Sequence, residues 1–182
     1  VLLTLVILSS VILASFSNRV TSADLELRNR LAGSVDCFFV GASHCQQGID
    51  TIAFDEGFGC NSYNLAADAM TINQKKYLLE HELARNNVNT VILEVSYDTM
   101  RTTPVSDYTN NSVDHIFRLD NLKDRLKFFF FETTLENKII VYSMWVVNCT
   151  KAFVYSVFNR PFIDEVTMAK AAELKGSRSL GC

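Results

Sequence analysis

Read as a pattern of apolar and polar positions, the chain opens on an unbroken apolar stretch. Val1 to Phe16 holds Leu, Val, Ile, Phe and small residues without a charge, the composition a bilayer interior selects, though a little short of a full span. Residues 1–17 are therefore expected to form a membrane anchor or the apolar part of a signal segment, with Ser15-Phe16-Ser17 a poor cleavage site. A buried core helix is the alternative on length. Asn18 to Ala32 is charged and mildly amphipathic, with Leu25, Leu27 and Leu31 as apolar points; residues 18–33 suit a linker or short helix.

The folded part is expected over residues 34–182. Val35 to Val40 is a short β-prone run ending at Gly41, the pattern of a strand buried on both faces of a parallel sheet. Ser62-Tyr-Asn-Leu-Ala66 is a weaker strand candidate, preceded by the turn formers Gly57, Gly59 and Asn61. Thr71-Ile-Asn-Gln74 has the form of a capping box, and Ile72, Leu79 and Leu83 follow at helical spacing, with Lys75, Lys76, Glu80, Glu82 and Arg85 on the other faces. Asn86-Asn87 ends that helix, and Thr90 to Ser96 reads as a second strongly buried strand. Strand, loop, strand, helix, strand implies an α/β fold with a doubly wound, mostly parallel sheet. Sites in such sheets open at the C-terminal strand ends, where Ser43, the segment after Ala66, and Ser96 to Asp98 would emerge together.

Beyond Pro104 the pattern loosens. Val105 to Asn121 is polar and reads as a loop or insertion, while Leu122 to Glu136, with its Phe128 to Phe131 block, fits a helix. Ile139 to Phe158 is apolar, but Asn148, Thr150 and Lys151 sit in its centre, where a charge costs about 2.5 to 3.5 kcal/mol on membrane-insertion scales. It reads as a buried or amphipathic helix, with an interfacial segment as the alternative. Val1 at the start and the unfinished tail from Glu173 to Cys182 lead us to expect a fragment, with a sheet incomplete at its C-terminus.

Charge and cysteines narrow the chemistry. The net charge is −3 and the Lys and Arg residues are scattered, so no basic stripe awaits a nucleic acid. Cys37, Cys45, Cys60, Cys149 and Cys182 form no C-x-x-C pair and no metal-like spacing with His44, His81 or His115. No metal and no cofactor are expected, and Cys37 reads as a small buried hydrophobe. A nucleotide or flavin binder is disfavoured because no glycine-rich loop follows the first strand.

Four stretches in order, Asp36-Cys-Phe-Phe-Val-Gly-Ala-Ser-His44, Ser62-Tyr-Asn-Leu-Ala66, Tyr77-Leu-Leu-Glu80 and Val91-Ile-Leu-Glu-Val-Ser-Tyr-Asp98, resemble the opening blocks of SGNH (GDSL-like) hydrolases. The likeness is to the membrane-anchored branch related to polysaccharide O-acetyltransferases and DltD-like proteins, and it covers about a third of the chain. The resemblance implies a flavodoxin-like three-layer sandwich and a serine esterase or O-acyltransferase acting on acyl esters of cell-surface glycans, outside the cytoplasm. It implies Ser43 as nucleophile, because a serine after strand one attacks the ester carbonyl once an imidazole takes its proton. The family's second block places a glycine N–H in the oxyanion hole, where this chain has Ala69; its third block uses an asparagine, where this chain has Ser96, and Asn64 is the substitute donor. The family's D-x-x-H pair, which holds and supplies the base, does not occur in the sequence, so the base is expected from residues beyond Cys182. A non-catalytic SGNH-like scaffold or partner-binding module in an envelope assembly is the rival.

The remaining titratable residues carry smaller expectations. His44 is expected to shape the pocket mouth, because neighbouring side chains along a chain usually diverge. His81 reads as solvated surface, and His115, beside Asp114, as loop chemistry. Glu94, inside a strand, needs partners if it stays ionised; it either braces the site loops or bonds a helix end. Asp98 either orients substrate or caps a turn.

Overall fold

The structure, a computed structural model, describes residues 2–16, 22–95, 115–133, 135–158 and 160–174. It is a mixed α/β protein that divides into two units, each taken by itself below: a helical unit of Val1–Ser22 with Ser106–Asp164, and an α/β unit of Ala23–Val105 with Glu165–Cys182.

The α/β unit is built on three short strands, β1 (Cys37–Val40), β2 (Ser62–Asn64) and β3 (Thr90–Leu93). They form a parallel sheet in the order β2-β1-β3. In register, Phe38 stands beside Tyr63 on one side and Val91 on the other. The expected strands are thus found, and the central one is buried throughout. Cys37 and Phe39, two residues apart and so on one face, pack with Cys45, Ala66, Ile49 and Phe54, the Phe39 and Phe54 rings meeting edge to face at 4.8 Å.

β3 departs from expectation. Thr90 to Leu93 are all exposed, although their composition matches β1. Burial of a strand depends on what covers it, and β3 has no strand on its outer edge among the described residues. The second half of its expected range, with Ser96 and Asp98, lies outside the described residues.

The segment expected as a linker or short helix holds helix α2 (Ala23–Leu31), with Leu25, Leu27 and Arg28 buried. Arg28 makes an ion pair with Glu82 and bonds Asp24 at 3.1 Å. Tyr63 on β2 donates to Asp24 at 2.7 Å. A buried guanidinium is tolerable only when paired in this way. After β1 come α3 (Ser43–Gly48) and α4 (Thr51–Phe58), the latter capped by Asp50, whose carboxylate accepts from Ile52 and Ala53. Helix α5 (Ile72–Leu83) begins with the expected capping box: Gln74 N–H donates to Thr71 Oγ1, and Thr71 N–H to Gln74 Oε1. Its buried face, however, is Gln74, Lys75, Leu78 and Glu82, while Leu83 is exposed. His81 is also not solvated, its side chain being 12% exposed with Nδ1 3.1 Å from Glu82.

The helical unit contains α1 (Leu2–Phe16), α6 (Leu122–Glu132) and α7 (Leu135–Val157). Asn121 caps α6 by accepting from the Asp124 N–H at 2.9 Å. Helix α7 buries one stripe and leaves its other faces exposed, so of the forms expected for it, buried, amphipathic or interfacial, it is not the fully buried one. The last described element, α8 (Glu165–Leu174), belongs to the α/β unit and packs against α2.

Candidate active site

β1 delivers the chain to Gly41, Ala42 and then Ser43, the first residue of α3. The turn is tight: a Cβ on Gly41 would run into Cys45 Cβ and Glu94 Oε2, with Glu94 Cβ at 2.9 Å. Only glycine lets the strand end pass so close to these side chains. Ser43 is half-buried, and its hydroxyl has no hydrogen-bond partner among the described residues. As in any helix, the first-turn N–H groups of Ser43, His44 and Cys45 have no intrahelical acceptor; the first such bond runs from Gln46 N–H to Ala42 O at 3.0 Å.

Glu94, just past β3, reaches across to this turn. Its Oε2 accepts the Ala42 N–H at 2.7 Å, and its own N–H bonds Val40 O at 2.8 Å. Glu94 thus clamps the end of β1 and the start of α3, the bracing role weighed for it from sequence. His44 Nδ1 stands 3.7 Å from Glu94 Oε1, with its side chain 80% exposed. No imidazole bonds the Ser43 hydroxyl among the described residues.

Two neighbours were not foreseen. Lys75 is 2% exposed, and burial holds its ammonium below the ordinary lysine range, opposed by the charge of Glu94 and the proximity of Cys45. Burial, aided by the Glu94 charge and opposed by Lys75, pushes the Cys45 thiol up to about 11, leaving it protonated and a poor nucleophile at neutral pH. The signal in the sequence is Lys75, Leu78 and Glu82 at spacings of three and four, a helical stripe obscured because two of its three members are charged.

Asn64 is fully buried. Its amide Nδ2 donates to Cys45 O at 3.0 Å while its Oδ1 accepts from Ala66 N–H at 3.0 Å, tying the end of β2 to α3. Ala69 has φ of 57°, in the left-handed region that favours glycine. Ser96 lies outside the described residues. His115 belongs to the helical unit, where its ring lies edge-on to Phe128 at 6.4 Å between centroids.

No family model, curated protein or solved structure matches the chain.

Proposed function

We propose that the chain carries the nucleophile-bearing part of an SGNH-type serine esterase or O-acyltransferase. It acts on acyl esters of cell-surface glycans and is held at the extracytoplasmic face of a membrane through α1. The observation that carries this reading is the position of Ser43: half-buried, its hydroxyl without a hydrogen bond among the described residues, at the C-terminal end of the central strand. The chain steps from β1 to one side for β2 and past it to the other side for β3, and ligands of open α/β sheets bind at the strand ends where such a reversal occurs. Right-handed crossovers would set α4 and α5 on opposite faces of β1, the layering of a three-layer sandwich.

In this reading Ser43 Oγ attacks the ester carbonyl and the first-turn N–H groups of α3 meet the developing oxyanion. Glu94 holds that turn by its bond to the Ala42 N–H. The left-handed backbone at Ala69 supports the alignment of that position with the family's oxyanion glycine, because the local shape is one glycine adopts freely. These 182 residues hold no D-x-x-H, so this reading requires a base that they do not supply in that form; the glycan substrate rests on the resemblance alone. In the complete protein, Ser43→Ala should abolish both hydrolysis of a small acetyl ester and labelling by a fluorophosphonate. Unchanged turnover overturns the assignment.

One observation favours the rival, a non-catalytic module of the same fold. The Asn64 amide, the substitute oxyanion donor, is already engaged with Cys45 and Ala66. A complete protein that resists fluorophosphonate yet captures an envelope partner would be this module.

A further inference from the structure

The helical unit carries an apolar surface that the described residues leave open. On α7, Val141, Trp145, Cys149 and Ala152 are buried at helical spacing, a single inward stripe. The outward faces remain apolar: Ile139 is 78% exposed, Val147 66% and Val157 61%. Only 22% of the apolar span Lys138–Val157 is buried, far from what a core helix shows. Helix α1 packs against α7 and exposes Leu5, Ile7, Leu8 and Val11 as well.

The polar atoms of α7 indicate what covers this surface. Ser143 Oγ donates to Ile139 O, Asn148 Nδ2 to Met144 O and Thr150 Oγ1 to Val146 O, each at 2.9 Å. Tyr142 and Ser9 of α1 share a hydroxyl hydrogen bond of 2.7 Å. An exposed serine or threonine in water has solvent for a partner, whereas in hydrocarbon every polar group must be satisfied within the protein. The two lysines of this stretch lie against aromatic rings, Lys138 over Phe130 at 5.7 Å and Lys151 over Tyr155 at 5.2 Å and Phe162 at 5.1 Å. Such pairs lay the lysine stem along apolar surface and shield the ammonium with the ring faces. The 23 residues of α7 reach about 34 Å, against a hydrocarbon core of about 30 Å.

We infer that the helical unit embeds in a lipid bilayer through the outward face of α7, beside α1, with Lys138 at the headgroups. The inference is independent of the chemistry of Ser43. It gives the membrane contact two helices, the second being the stretch for which the sequence left an interfacial segment as the alternative.

The test is bromine quenching of tryptophan in phosphatidylcholine vesicles. The full chain has one tryptophan, Trp145, on the buried stripe. Val147→Trp and, separately, Phe153→Trp add a second at exposed positions that tolerate a larger side chain. Both variants should lose most of the added emission to lipid brominated in mid-chain, and Val147→Trp should lose less to lipid brominated near the headgroup. If the chain floats with the vesicles and neither added tryptophan is quenched, α1 alone holds the membrane and the inference falls. It falls equally if the chain leaves vesicles unbound and elutes as a dimer in which the added tryptophans are shielded, because a second copy would then be the cover.

Discussion

In the α/β unit buried charged side chains pair across elements: Arg28 of α2 with Glu82 of α5, and with Asp24, which also receives the Tyr63 hydroxyl. On α7 of the helical unit the uncharged Ser143, Asn148 and Thr150 turn back on their own helix carbonyls. The first arrangement locks elements together at the cost of desolvating charges; the second merely hides polar atoms and joins α7 to little beyond itself. Removing a polar group should therefore be severe in one unit and mild in the other.

Arg28→Ala gives the largest expected effect. It leaves the carboxylate of Glu82, a residue 1% exposed, without its buried cation, and breaking such a pair costs about 3 to 5 kcal/mol. Thr150→Val on α7 should change stability by no more than about 0.5 kcal/mol. Urea unfolding of the two variants checks the contrast, and equal losses would break it. Acid adds a second handle. Burial alone would raise the Glu82 pKa, but the hydrogen bond from His81 and the charges of Arg28 and Arg85 prevail and hold it below the usual carboxylate range. The stability it contributes is present above the unfolded value of about 4.3 and is lost as pH falls through the lower folded value. Glu82→Gln should remove that acid-dependent loss.

Gly41→Ala comes next. The added methyl meets Cys45 and Glu94, and overpacking of this kind costs about 1 to 3 kcal/mol. Because the displaced carboxylate is the one that holds the Ala42 N–H, the same variant should slow fluorophosphonate labelling of Ser43 in the complete protein. Loss of stability with labelling intact would separate the clamp from the nucleophile.

The elements most legible in the sequence are those whose cause is local. The Thr71 capping box and the run into Gly41 need no knowledge of the rest of the chain, and both stand where expected. What escaped notice was decided by distant partners. Lys75 and Glu82 read as solvent-facing charges, yet they are buried because Glu94 and Arg28, far along the chain, stand opposite. β1 and β3 share an apolar pattern and differ in burial because, among the described residues, only β1 has a strand on each side. At the candidate site, Ser43 could be named from its neighbours in sequence, whereas the Glu94 clamp required the fold.

Lys75 offers a smaller effect with a definite sign. Burial lowers its pKa in the folded chain, while the unfolded value is about 10.4. Between the two values the unfolded chain binds more protons, so this group makes stability rise with pH. The raised thiol of Cys45 has the opposite slope. The difference between the native chain and Lys75→Met therefore isolates the lysine: their stabilities should converge as pH climbs toward about 10. Parallel curves would mean that the ammonium carries no burial cost.

The smallest effect should be at Ala69, and its sign matters more than its size. With φ of 57°, an alanine is held where its Cβ crowds the following carbonyl, at a cost of about 1 to 2 kcal/mol. Glycine escapes that cost but gives up about 0.5 to 1 kcal/mol in unfolded-chain entropy. Ala69→Gly should thus stabilise the α/β unit by somewhat under about 1 kcal/mol, and Ala69→Val should destabilise it, since a branched side chain is least tolerated there. If Ala69 also stands at the oxyanion position, the glycine variant should keep or raise the rate of labelling at Ser43 while raising the urea midpoint. A stabilised chain labelled more slowly would make the left-handed turn a feature of the fold alone and would remove one of the two local supports for the hydrolase reading.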